Sequence, residues 1–345
     1  MRPPFEPPDS IAPALFITAD YELFLGASSG SLQSSILTPV DHLATLMERY
    51  ERRLIIFVDI LMVWRMMKEA ETNSTLRQDI DRVTQNLQSL LKRGHSLQLH
   101  LHTQWLDAEY KCGEWIFPSY KRYSLSQLSA DTDAGRWDTV AGCVTLSKKM
   151  LEDICREIVP NYTVTAFRAG GLCVQPFAAC REALIKNGLT TDSSVAPRLH
   201  HADGVRNYDF RNAPDTDSWH FNEDPCFEDR QGPFEELPIL TFDASLADKA
   251  STLISRRCSK SKTTSWGDGR GLPAPSKSLS DRLQTFPAVL TYDYWPVGII
   301  TRELSAKIQQ GWKRLTLLGH PKYLSPYGLE QLEKVLSHAK ESGWA

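Results

Sequence analysis

His100 and His102 stand two residues apart at the end of an alternating apolar run, Leu97, Leu99 and Leu101, within GHSLQLHLHTQW (94–105). In an extended strand, residues i and i+2 project from the same face, so both imidazoles leave the strand end side by side. Paired imidazoles suit zinc and other late first-row divalent ions, and such sites are commonly completed by a carboxylate. The pattern therefore points to metal chemistry and calls for an acid from elsewhere in the chain.

Residues of catalytic type recur where other apolar runs end. Asp20 and Glu22 follow the first run, Arg168 lies in FRAGG, Asp192 in TDSS and His320 in GHPK. The elements that must position them alternate along the chain. Strand-like segments cover 14–20, 54–60, 95–102, 164–171 (strand then turn), 189–195, 234–240, 290–294 and 314–320. Helical patterns cover 41–53, with Asp41 as N-cap, and 76–94, with Ile80, Val83, Leu87, Leu90 and Leu91 on one face and Gly94 as its stop. Further helices are expected over 145–159, 176–188 and 326–343. Such alternation predicts parallel strands joined by helices, and its spread over all 345 residues favours one barrel-like domain. In such folds strand C-termini converge on one rim, where active sites form.

Two stretches break the rhythm. Residues 103–143 hold Trp105, Tyr110, Trp115, Phe117, Tyr120 and Tyr123 with little periodicity, and are expected to form a functional loop or cap. Residues 256–282 are rich in Ser, Gly, Pro and basic side chains and are expected to be a mobile loop. A net charge of −3 supplies no footprint for nucleic acid. The seven scattered cysteines form no CxxC pair and read as reduced thiols. No run approaches the roughly 18 apolar residues of a membrane span, and the start MRPPFEPPDSIAPA has no signal-peptide core. The expectation is a cytoplasmic protein with no transmembrane segment.

Taken in order, TADYE, GHSLQLHLHTQW, FRAGG, LTTDSS and LTLLGHP resemble the five motifs of the NodB-like polysaccharide deacetylases, across residues 14–325. The resemblance implies a distorted α/β barrel, the (β/α) barrel of NodB type, with mostly parallel strands, as a single domain over 1–345 with insertions at 103–143 and 256–282. It implies a metal-dependent hydrolase removing an acetyl or formyl group from an amino sugar. Asp20 would be the general base. Glu22 would join His100 and His102 on a divalent ion, zinc first, with manganese, cobalt or nickel as other fits. His320 would be the general acid, and Arg168 would hold Asp20 charged and oriented. Asp192 would pair with Arg168 or orient a histidine. Gly170 and Gly171 would let the backbone approach substrate closely, and Trp105 and Tyr123 would offer stacking faces to a sugar ring. The implied partner is a carbohydrate, nucleotide- or lipid-linked, as a precursor of surface polysaccharide or O-antigen.

The chain departs from the family twice. Tyr21 separates the two acids, which are often adjacent. Gln104 occupies the place, four residues after His100, of the usual second histidine, so His102 must substitute for it. Two other functions stay open on the sequence: a metal-free or inactive sugar-binding homologue, and a glycosidase using Asp20 and Asp192 as its carboxyl pair.

Overall fold

The computed structural model describes residues 4–6, 12–272 and 284–345. Its centre is an eight-stranded sheet. Along the chain the strands are β1 (Ala14–Tyr21), β2 (Leu54–Asp59), β3 (Ser96–Leu101), β4 (Glu109–Lys111), β5 (Glu114–Ile116), β6 (Ala166–Ala169) and β7 (Thr191–Asp192). They continue with β8 (His200–Ala202), β9 (Asn207–Asp209), β10 (Trp219–Phe221), β11 (Phe234–Glu236), β12 (Thr241–Ala244), β13 (Phe286–Val289) and β14 (Arg314–Gly319). The sheet order is β10-β11-β7-β6-β3-β2-β1-β14, parallel throughout except for β10 on β11. β1 and β2 are buried along their whole length, which is why ALFITADY and LIIFVD are continuous apolar runs rather than alternating ones.

The sheet curls until its ends meet. Ile239, just beyond β11, forms a parallel bridge with Thr316 of β14. The Leu240 N–H then donates to the Thr316 carbonyl at 3.2 Å. The segment after β11 therefore starts beside β7 and finishes beside β14, closing a distorted (β/α) barrel.

The helices are α1 (Thr38–Arg49), α2 (Ile60–Ala70), α3 (Ser74–Lys92), α4 (Val140–Arg156), α5 (Ala178–Lys186), α6 (Leu246–Cys258), α7 (Val297–Gln309) and α8 (Pro326–Glu341). α3 shows why the longer ones form. The Asn73 side chain caps its first N–H groups, Val83, Leu87, Leu90 and Leu91 are buried with Ile80 half-buried, and Gly94 follows in a left-handed turn at φ 88°. No helix among the described residues is long and apolar enough to cross a membrane.

Several expected boundaries shift. α1 continues a helical turn that begins at Gln33, so Asp41 is no cap; its carboxylate binds Arg93 at 2.6 Å. α2 follows β2 without a break, and the run ILMVW hides its period. α4 starts at Val140, five residues ahead of expectation, because Thr139 caps it. The expected strand 290–294 is displaced to β13, with Thr291 making only one bridge, to Leu318. α6 and α7 were not visible as patterns.

Of the two insertions, 103–143 contains a short turn, the β4–β5 hairpin and a second turn at Leu125–Gln127 before α4. Residues 256–272 are anchored. The Trp266 ring stacks on His42, and Asp268 accepts from Ser31 and Ser35. The remainder of that expected loop, 273–282, lies outside the described residues.

Candidate active site

Strand register gathers the site. Asp59 of β2 pairs with His100 of β3, which pairs with Arg168 of β6, and Ala19 of β1 pairs with Gly319 of β14. One step further along each chain lie Asp20 and His320. The first, second, third and last motifs thus end on one rim, as parallel topology dictates.

Glu22, His100 and His102 turn one ligand atom each toward a common point, all within 4.8 Å of one another. His102 Nε2 lies 2.6 Å and His100 Nε2 3.4 Å from Glu22 Oε2. All three side chains are buried, and among the described residues Glu22 Oε2 and His100 Nε2 have only one another and His102 Nε2 as polar neighbours within hydrogen-bond range. The His100 Nδ1–H donates to the Arg168 carbonyl at 2.8 Å, which turns the Nε2 lone pair inward. Burial opposes charge on His100, but Asp20 and Glu22 outweigh it and push His100 up to about 9. The pocket demands positive charge. Converging buried donor atoms in a Glu–His–His set fit a divalent cation. Gln104 is not part of the set: its amide stands behind the His102 ring, 3.2 Å from Nδ1. Asp59 fixes the backbone there, accepting from the His102 N–H at 3.3 Å and the Trp105 indole at 2.6 Å. Burial raises Asp59 to about 6.

The arrangement holds Asp20 toward its charged form. Burial alone would raise it, but Arg168, followed by His100 and His320, overrides burial and holds it below its ordinary range. Arg168 is itself 0% exposed. It donates to Asp20 Oδ1 at 2.6 Å, the Ser193 carbonyl at 2.8 Å, Ser193 Oγ at 3.0 Å and Thr18 Oγ1 at 3.1 Å, and lies 4.0 Å over the Phe57 ring. His320 Nε2 stands 3.7 Å from Asp20 and 3.8 Å from Glu22, with its side chain 24% exposed. Burial lowers His320, but Asp293, then Asp20 and Glu22, raise it above the ordinary histidine value. Asp293 also accepts the His320 backbone N–H at 2.8 Å.

Asp192 differs from expectation. It neither pairs with Arg168 nor touches a histidine. Its Oδ1 accepts from Ser194 Oγ at 2.6 Å, and its carboxyl meets that of Glu236, its register partner on β11. Burial raises both, Glu236 far above its ordinary value. The contribution of TDSS to Arg168 comes from Ser193. Asp20 and Asp192 do not form the facing pair that a glycosidase requires, because Asp192 does not line the site cavity.

That cavity holds about 290 Å³ and is lined by Asp20, Glu22, His102, His320 and Lys322 together with Tyr123, Arg206, Tyr208 and Tyr323. Tyr123 and Gly171 line it, whereas Trp105 and Gly170 do not. Trp105 is 0% exposed and packs edge-on against Trp115 and Phe117, so its ring belongs to the core. Gly170 lies beneath the rim, where a Cβ would come within 2.5 Å of the Leu101 carbonyl and 2.7 Å of His102 Nδ1. Gly171 has φ 57°, and a Cβ there would collide with the Tyr123 hydroxyl.

The sequence reading missed Asp59, Asp293, Glu236, Arg206 and Lys322. Asp59 was detectable by the rule that found Asp20, since it ends an apolar strand in the same way. Lys322 binds Glu22 Oε1 at 2.8 Å and the Leu23 carbonyl at 3.1 Å; only the turn after β14 brings it there.

The chain matches no protein-family model and no curated protein. Among solved structures, it is similar to a candidate polysaccharide deacetylase from Mycobacterium smegmatis, at 14% identity and TM-score 0.47, over 98% of this chain and 88% of that one. A polysaccharide deacetylase from Bacillus cereus is similar at 9% identity and TM-score 0.38, over 96% and 89%. A mutant CE4-family pseudoenzyme with restored enzymatic activity is similar at 11% identity and TM-score 0.37, over 97% and 65%.

Proposed function

We propose that this chain is a metal-dependent hydrolase that removes an N-acyl group from an amino sugar. One observation carries the reading: Glu22 Oε2 and the Nε2 atoms of His100 and His102 converge beside a carboxylate held by arginine and a histidine held by a second acid. Glu22, His100 and His102 would hold the ion, with zinc the fit for two imidazoles and one carboxylate. A divalent ion bound there supplies Lewis acidity toward an amide carbonyl and makes water more acidic.

The chain's own residues do the rest. Asp20 accepts a proton from the attacking water as general base. Arg168 acts through Asp20, keeping it ionised and aimed. His320 gives a proton to the departing amine nitrogen, so that amide and water become a carboxylic acid and an amine. Asp293 acts through His320 by fixing its backbone and facing its Nδ1. Tyr123 and Gly171 bound the substrate. A cavity of about 290 Å³ lies at the lower end of the roughly 300–1,000 Å³ range of small-molecule pockets, which suits a single amino-sugar unit, in this reading part of a nucleotide- or lipid-linked precursor.

The test is release of acetate or formate from N-acetyl and N-formyl amino sugars by the zinc-loaded protein, with metal content measured in parallel. Zinc-dependent release that disappears in Asp20→Asn supports the proposal. A loaded protein that releases neither acid, or release that persists in the metal-stripped protein, overturns it.

A further inference from the structure

Lys322 is a charged side chain of this site that the proposed chemistry leaves unused. It is 6% exposed, with its ammonium 5.5 Å from the Phe24 ring centre and 5.6 Å from that of Tyr323. The ammonium donates to Glu22 Oε1 at 2.8 Å and to the Leu23 carbonyl at 3.1 Å. Glu22 is therefore divided. One oxygen is held by a buried cation, while the other, Oε2, faces His100 and His102.

We propose that Lys322 competes with the divalent ion for Glu22 and sets the affinity of the cation site below what the same three ligands would reach alone. The inference rests on the reading of Glu22, His100 and His102 as an ion site. Two physical effects act in the same direction. The ammonium and the ion would share one carboxylate in a buried, poorly screened setting, where like charges repel strongly. Glu22 is also compensated before any ion arrives, so the ion gains less by neutralising it. Removing the lysine charge strands a buried carboxylate, which is costly, and leaves a divalent ion as its natural partner. Lys322 thus keeps the empty site balanced, and the price is weaker hold on the ion.

The measurement is zinc affinity at neutral pH, by competition with a chromogenic chelator, alongside thermal unfolding with and without zinc. Lys322→Met removes the charge at similar length, and Lys322→Arg keeps it. Lys322→Met should bind zinc at least tenfold more tightly than wild type, melt lower without zinc and gain more on its addition. Lys322→Arg should stay near wild type. Equal or weaker zinc binding by Lys322→Met overturns the competition and leaves the ion site standing. Failure of both wild type and Lys322→Met to bind zinc overturns the ion site and this inference with it. If the Met variant does not fold, Lys322→Gln retains a donor without the charge and should show the same tightening.

Discussion

Two pairs of buried carboxyls sit at strand ends of this barrel, and they behave in opposite ways. At the rim, Asp20 and Glu22 are held below their ordinary range despite burial. At β7 and β11, Asp192 and Glu236 are raised by the same burial. The residue types are alike, and so is the depth. The difference is the company each pair keeps. Arg168 binds Asp20, and Lys322, His102 and His100 surround Glu22. Among the described residues the second pair has no cation in hydrogen-bond contact: Asp192 has Ser194, Glu236 has the Val195 N–H, and each has the other. Oδ2 of Asp192 and Oε2 of Glu236 have no further partner. One proton held between them would satisfy both and leave the pair with a single negative charge, bracing the segment 192–195 that carries Ser193 to Arg168. The cations around each acid, not its depth, decide which of the two states burial leaves it in.

The contrast can be broken at the rim most severely. His100→Ala or Glu22→Gln should abolish both zinc retention and turnover, read by metal analysis and acid release. Zinc retained at wild-type level in either variant would remove that residue from the ligand set. His102→Ala belongs to the same test. Next, Arg168→Met should destabilise the protein by about 3–5 kcal/mol in urea unfolding, because it strands a buried charge. Adding Asp20→Asn should recover part of that loss, and no recovery would mean that Arg168 acts through packing rather than through Asp20. Asp20→Asn alone should keep zinc and lose about a hundredfold or more in rate, the scale of general-base loss.

The smallest effect is expected at the second pair. Glu236→Gln preserves a hydrogen-bond donor toward Asp192, so its cost at mildly acidic pH should stay below about 1 kcal/mol. Its pH dependence is the sharper reading. Glu236 titrates above its ordinary value, so its stabilisation is complete below the unfolded value of about 4.3 and fades as pH rises through the higher folded value. Asp20 runs the other way. Its contribution is complete above an unfolded value of about 3.9 and is lost as pH falls through the lower folded value. Denaturant midpoints between about pH 5 and about pH 8 should therefore shift in favour of Glu236→Gln as pH rises. Parallel curves for variant and wild type would show that no proton is shared.

Much of this was written locally. β1, β2, β3 and β14 are apolar runs long enough to announce themselves, and a polar residue closing such a run is visible without any neighbour. That is why Asp20, His100, Arg168 and His320 could be named from the chain, and why the i, i+2 spacing placed His102 beside His100. What could not be read was anything depending on who stands opposite. Asp192 looked like a partner for Arg168, yet curling of the sheet sets it against Glu236 and offers Ser193 instead. Trp105 looked like a sugar platform, yet its indole closes on Asp59 inside the core. α2 was hidden because its first turn, Ile60 to Val63, is buried and prolongs the apolar run of β2, with Asp59 alone between them. Lys322 carried no signal in the chain, and it reaches Glu22 only because the turn beyond β14 folds back. Strand identity and side-chain type are properties of a few consecutive residues. The charge state of a buried acid is a property of cations up to 300 positions away in the chain, and only the closed barrel brings those together.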